Sequence, residues 1–145
     1  DVLKAQEELK DTHYFIIKLH PHTQVHTEGT NCDIPSEELL PVADIVITDY
    51  SSILFDAMIY QLPLVLFAPD LEEYLASRGF YLDYRTLPGI HIQKEEQLVK
   101  VLSDEARLNS SVNQKYHDFF QDYMAACDGH ATRRIMNYVS KSPNK

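Results

Sequence analysis

Thr48-Asp49-Tyr50-Ser51-Ser52 puts four hydroxyls and a carboxylate into five consecutive residues, between an apolar β-branched run and a helical pattern. A helix N-terminus carries free N–H groups and partial positive charge, so such a junction suits an anion, phosphate above all. The stretch has no glycine, which excludes a Walker loop and a dinucleotide fingerprint. Anion contacts would then come from the Ser51 and Ser52 hydroxyls and from backbone N–H groups. A simple helix cap by Ser51 or Ser52 accounts for the same residues. Asp56 is the one charge within residues 53–60, in a stretch that otherwise looks core-packed. Four residues after Ser52, it shares that helical face and points to the same crevice. Burying a lone carboxylate is costly unless it is paired. Its partner is either a ligand hydroxyl, such as a ribose, or a backbone or arginine group within the fold.

His20 follows the apolar run Tyr14–Leu19 and precedes Pro21. The proline fixes a turn and pushes His20 toward extended geometry. An imidazole there would serve as general acid, general base or a cation for phosphate; an ordinary turn histidine is the plain alternative. His20, His22 and His26 do not make a metal site, because Pro21 breaks any helical spacing and no carboxylate cluster completes the ligand set. Asp70 comes just after a second apolar run and reads as an N-cap, with Glu73 at capping-box distance. Arg78 lies in a polar-aromatic patch with Tyr74, Gly79, Tyr81, Asp83 and Tyr84. It would meet a phosphate or carboxylate ligand, or pair within the chain with Asp70 or Asp83. The chain has no G-x-S-x-G element, and neither Cys32 nor Cys127 has a histidine at motif spacing. Both cysteines read as ordinary thiols.

The elements that position these groups follow from periodicity. Val2–Leu9 is a short amphipathic helix. Tyr14–Leu19 is a strand, and residues 22–35 form a long loop. Ser36–Ala43 is a helix with Ser36 as N-cap. Asp44–Thr48 is a strand buried on both faces, followed by a helix over Ser52–Gln61 that Pro63 stops. Leu64–Phe67 is a second buried strand, and Leu71–Ser77 a helix that Gly79 ends. Residues 80–93 are irregular, with a turn at Pro88-Gly89. Glu95–Leu102, Val112–Ala126 and Thr132–Val139 are helices. Short apolar strands alternating with helices predict parallel strands joined by right-handed crossovers. The expected fold is an open, doubly wound α/β sheet, which binds ligands at the carboxyl ends of its strands. His20-Pro21, Asp49–Ser52 and Ala68–Asp70 all fall there.

The chain has 145 residues, enough for one domain with a substantial core. Lys plus Arg is 13 and Asp plus Glu is 22, a net charge of −9. That balance speaks against nucleic acid as a partner and against a polybasic membrane-surface domain. At 44% apolar residues the chain is no disordered acidic tail. No apolar run approaches the ~18 residues of a membrane span, and DVLKAQEELK does not read as a signal peptide. Residue 1 is not Met, consistent with an excised or processed piece.

Taken together, KLHP at 18–21, ADIVITDYSSILFDAMIYQLPLVLFAPDLEEYLASRGFYLDY at 43–84 and PG at 88–89 resemble the CDP-glycerol glycerophosphotransferases of teichoic acid synthesis. The family's H-P, T-D-Y-S-S, F-D, P-D-x-x-x-Y and R-G-x-Y-x-D elements occur in order. Asp128-Gly129-His130-Ala131-Thr132-Arg133 is similar to a D-G-x-A-(S/T)-x-R element near the end of such proteins. The resemblance implies the C-terminal half of a GT-B-type transferase, built from two facing Rossmann-like domains. Residues 1–140 would form the donor-nucleotide domain, lacking its first strand, and 141–145 a tail. It implies that His20 lies against the donor pyrophosphate and assists departure of CMP. Pro21 would hold its turn, and Thr48, Asp49, Ser51, Ser52 and Arg78 would bind the donor. Asp56 and Asp70 would be crevice carboxylates toward ribose or glycerol hydroxyls.

The implied reaction moves glycerol-phosphate from CDP-glycerol to a growing lipid-linked polymer, without a metal or other cofactor. The implied location is cytoplasmic, peripheral at the inner face of the membrane. The other partner would be the N-terminal domain of the same protein, with a second essential histidine, so the 145 residues alone are expected to be inactive. Ribitol-phosphate transferases and some capsule polymerases share the same elements. A non-catalytic nucleotide-binding module would keep the fold without the chemistry. A sugar-nucleotide transferase or epimerase of related fold would share a phosphate site at a helix N-terminus.

Overall fold

The computed structural model describes residues 2–18 and 32–141. Three short apolar segments, β1 (Val46–Thr48), β2 (Leu64–Phe67) and β3 (Ile90–Ile92), form one parallel sheet in the order β1-β2-β3. Val46 pairs with Leu64, and Val65 pairs with Ile90. Successive side chains on a strand face opposite ways, so β2 feeds two cores. Leu64 and Leu66 face Leu54, Ala57 and Met58 of α3 (Ile53–Ile59), Leu71 of α4 (Leu71–Ser77) and Tyr116 of α7 (Gln114–Met124). Val65 faces Ala5 and Leu9 of α1 (Val2–Leu9), Leu98 and Val101 of α5 (Glu95–Leu102), and Leu108 of α6 (Glu105–Ser111). Helices thus cover both faces of the sheet, the expected doubly wound α/β arrangement. No described helix is long and apolar enough to cross a membrane.

Several elements differ from the expected pattern. β1 is shorter than the Asp44–Thr48 run and only half-buried, because its one sheet neighbour among the described residues is β2. Residues 14–18 alternate between exposed and half-buried but join no ladder, and Leu19 lies outside the described residues. The supposedly irregular stretch 80–93 contains a 3-10 turn over Tyr84–Thr86 and the whole of β3. α2 (Ser36–Leu39) is a single turn continued by a 3-10 turn over Leu40–Val42, and Pro35, not Ser36, occupies its N-cap. α3 ends at Ile59, ahead of Pro63, and Gln61 takes a left-handed φ of 55°. The C-terminal part holds four helices where three were expected. α6 starts at an Asp104 cap, whose carboxylate accepts the Arg107 N–H at 3.0 Å, and α7 starts at an Asn113 cap. α8 runs over Ala131–Lys141 with no buried residue.

The Pro88-Gly89 turn is a packing requirement. Pro88 is fully buried, and Gly89 has a φ of +120°. A Cβ built on Gly89 would stand 2.8 Å from the Leu64 carbonyl oxygen and 2.9 Å from Leu64 Cβ. Only glycine lets β3 start this close to the central strand.

Candidate functional site

β1 and β2 are parallel neighbours, so the turns that leave them emerge at the same edge of the sheet. One turn is Asp49–Ser52, leading into α3; the other is Ala68–Asp70, leading into α4. Crevices at this edge are where open α/β sheets hold ligands. Thr48 is half-buried at the end of β1, while Asp49, Ser51, Ser52 and Asp70 are exposed.

Side chains tie the two turns together. The Tyr50 hydroxyl donates to Asp70 Oδ1 at 2.6 Å, a distance expected of a bond to an ionised acceptor. The Tyr50 ring stacks on Tyr74 with centroids 3.8 Å apart, and it also contacts Phe80 and Tyr84. Tyr84 is 1% exposed, and its hydroxyl donates to the Asp49 carbonyl at 3.1 Å. Burial raises the Tyr50 phenol well above its ordinary pKa, and the hydrogen bond and charge of Asp70 push it the same way. Burial likewise raises Tyr84, assisted by the charges of Asp49 and Asp70. Both phenols therefore stay protonated donors across the physiological range.

The expected capping roles are redistributed. Ser51 Oγ accepts the Ile53 N–H at 3.3 Å, so Ser51 takes the simple capping role open to either serine. Ser52 sits at the N-cap of α3 without a side-chain cap bond. Asp70 sits at the N-cap of α4 but makes no cap bond, so the expected capping box is absent; its carboxylate turns to Tyr50 instead. α3 has seven residues and a correspondingly small dipole, so an anion held here would depend on hydroxyls and local N–H groups.

Asp56 is exposed, which removes the expectation that burial forces a partner on it. It lines a shallow cleft with Ser36, Glu37, Leu40, Ile53 and Tyr60. Arg78 is exposed just past α4 and forms no ion pair among the described residues. Neither expected acidic partner holds it: Asp70 is engaged by Tyr50, and Asp83 accepts the Arg85 N–H at 3.0 Å. His20 and Pro21 lie outside the described residues, as do His22 and His26. Among the described residues no three His, Cys, Asp or Glu side chains come close enough to hold a metal ion.

Sequence reasoning gives Tyr50, Phe80 and Tyr84 no role of their own at the site, yet they join the two turns. The signal for them is the tyrosine inside T-D-Y-S-S and the density of aromatics over 74–84. The C-terminal D-G element is a structural staple. Arg134 Nη1 donates to both Asp128 oxygens at 2.7 Å, Arg134 Nη2 donates to the Ala126 carbonyl at 2.6 Å, and Asp128 Oδ1 accepts the His130 N–H at 2.9 Å. The pattern's arginine is thus Arg134, one residue beyond the stretch quoted for it.

Comparison with known proteins finds matches over nearly the whole chain. The family model described as CDP-Glycerol:Poly(glycerophosphate) glycerophosphotransferase matches residues 1–141. A teichoic acid poly(ribitol-phosphate) polymerase of Bacillus spizizenii is 28% identical over 155 aligned positions, covering 96% of this chain and 24% of that protein. A teichoic acid glycerol-phosphate primase of the same organism is 27% identical, covering 97% of this chain and 38% of the relative. A solved structure of the wall teichoic acid polymerase TagF, a histidine variant soaked with CDPG, matches with a TM-score of 0.75 at 27% identity. That match covers 97% of this chain and 37% of the TagF chain. The chain therefore spans about a quarter to two-fifths of these proteins. It shares their GT-B-type α/β fold.

Proposed function

The chain belongs to the CDP-Glycerol:Poly(glycerophosphate) glycerophosphotransferase family, and from that membership we propose that it is the C-terminal, donor-binding part of a teichoic-acid-type polyol-phosphate transferase. The whole enzyme would move glycerol-phosphate from CDP-glycerol to the terminal hydroxyl of a lipid-linked polymer. The observation that carries this reading is the pair of turns, Asp49–Ser52 and Ala68–Asp70, side by side at the carboxyl edge of the sheet. They present hydroxyls and two carboxylates, the groups a phosphate and a polyol or ribose would meet.

In the proposed step the acceptor hydroxyl gives its proton to a base, the histidine expected in the N-terminal domain, and its oxygen bonds to the phosphorus that carries glycerol. The bond from that phosphorus to the bridging oxygen of the pyrophosphate breaks, and CMP leaves. Little covalent chemistry falls to the protein, so catalysis is positioning and stabilisation of phosphate charge. Ser51, Ser52, Thr48 and nearby N–H groups would hold the donor phosphates, with Asp49 shaping the turn. Arg78, free of an ion pair among the described residues, would add a cation. Asp70 and Asp56 would face donor hydroxyls. His20, its turn set by Pro21, would neutralise or protonate the departing CMP. No metal or other cofactor is assigned. The N-terminal domain of the same protein would supply the other wall of the cleft, and the enzyme would work at the cytoplasmic face of the membrane.

CMP release by the full-length protein, with a lipid-linked glycerol-phosphate acceptor, tests this reading. His20→Ala is expected to lower kcat by at least about a hundredfold, the range of general acid–base contributions. Full activity in that variant would remove His20 from the reaction. A second reading, transfer of ribitol-phosphate from CDP-ribitol, has the similarity to the ribitol-phosphate polymerase in its favour. Assays with each donor separate the two, and a protein that binds CDP-polyols without turnover would be a nucleotide-binding module.

A further inference from the structure

Asp70 occupies an N-cap position yet declines the cap, giving up the bond that ordinarily satisfies a free N–H at a helix start. Its Oδ1 takes the Tyr50 hydroxyl at 2.6 Å, and its Oδ2 makes no hydrogen bond among the described residues. The Tyr50 ring has little freedom to move, being stacked on Tyr74 and in contact with Phe80 and Tyr84. Tyr84 is itself anchored, buried and bonded to the Asp49 carbonyl. The aromatic group therefore fixes one oxygen of an exposed carboxylate and leaves the other without a hydrogen bond among the described residues.

We propose that Tyr50 is a positioning residue for the donor, acting through Asp70: it orients the carboxylate so that Oδ2 accepts a hydrogen bond from a donor hydroxyl. The ligand chemistry is that of an alcohol carried by either the polyol or the ribose. The inference rests on the donor-binding reading given above. Because Tyr50 precedes Ser51 directly, the same contact also sets the start of the serine turn. The Tyr50 phenol is held well above its ordinary pKa by burial and by Asp70, so it donates throughout the working pH range.

Tyr50→Phe in the full-length enzyme keeps the ring and removes only the hydroxyl. Asp70 then swings free, and a hydrogen bond to a charged group is lost from substrate and transition state alike. The expected result is a donor KM raised about tenfold with kcat changed less than about twofold. Asp70→Ala is expected to raise KM at least as much, and Tyr50→Phe/Asp70→Ala no further than Asp70→Ala alone. A 2′,3′-dideoxyribose donor, which lacks both free ribose hydroxyls, divides the sources. If its KM is the same in wild type and Tyr50→Phe, the hydroxyl is the ribose's; if the tenfold difference persists, it is the polyol's.

Wild-type KM in Tyr50→Phe overturns the inference while leaving the donor-binding reading intact. So does an effect that adds fully to that of Asp70→Ala, since Tyr50 would then act independently. A wild-type enzyme that turns over neither CDP-glycerol nor CDP-ribitol overturns the reading and this inference with it.

Discussion

Gly89→Ala and Gly79→Ala together separate two penalties that a glycine position can conceal. Both residues have positive φ, +120° at Gly89 and +68° at Gly79. At Gly79 nothing lies within 4 Å of an added Cβ, so alanine there meets backbone strain alone. That strain is about 1–2 kcal/mol for an L-residue in the left-handed region. At Gly89 the added carbon meets the Leu64 carbonyl oxygen at 2.8 Å and Leu64 Cβ at 2.9 Å. Leu64 is 0% exposed and paired in the central strand, so neither atom yields without moving the sheet. Backbone strain of about 1–3 kcal/mol and overpacking of about 1–3 kcal/mol bring the expected loss to roughly 2–6 kcal/mol. Domains of this kind have about 5–15 kcal/mol in total, so Gly89→Ala removes a large share. Equilibrium unfolding in urea, followed by far-ultraviolet circular dichroism, gives both values from the same linear extrapolation. A Gly89→Ala protein no less stable than Gly79→Ala would refute the steric reasoning.

Tyr116→Phe removes the buried hydroxyl that donates to the Leu62 carbonyl at 3.0 Å, orphaning that carbonyl. It is expected to lower stability by about 1–3 kcal/mol in the same unfolding assay. Asp128 is held below the ordinary carboxylate pKa of 3.8, first by the Arg134 hydrogen bond and then by the His130 N–H. Its contribution is therefore complete above that value and lost as pH falls through the lowered one. Amides at the start of α8 should lose protection on acidification below about pH 4, and Asp128→Asn should flatten that dependence in hydrogen exchange. The 145 residues expressed alone should release no CMP from CDP-glycerol, and measurable turnover by them would show that the catalytic groups all lie within this chain.

Much of the architecture is legible in the sequence because strand and helix periods differ sharply. α1, β2 and α4 fall where apolar spacing puts them. β3 escapes such a reading because Ile90-His91-Ile92 is three residues long and carries an imidazole on its outward face, too little pattern to outweigh the Pro88-Gly89 turn signal. α6 escapes it because Leu108 and Ser111 are its only buried residues, so no apolar stripe marks it. At the site, the position of the two turns follows from chain order alone. The partner choices do not. Asp56 looks buried by its neighbours in sequence, but α3 turns it outward. Asp70 looks like a helix cap, but a tyrosine twenty residues upstream competes better for its carboxylate. Such competition is decided by tertiary proximity, which short-range spacing does not encode.

The division of β2 between two cores governs how the molecule comes apart. Leu64 and Leu66 belong to one side and Val65 to the other, and all three are 0% exposed. Neither side can melt while the other persists, since loosening Leu64 and Leu66 moves the backbone that places Val65. The two halves are thus a single cooperative unit, and helices α3 and α5, on opposite faces, should open with the same free energy. α8, with no buried side chain, stands outside that unit and unravels on its own. Amide exchange across the chain would accordingly divide into two tiers, one global and one confined to the C-terminal helix.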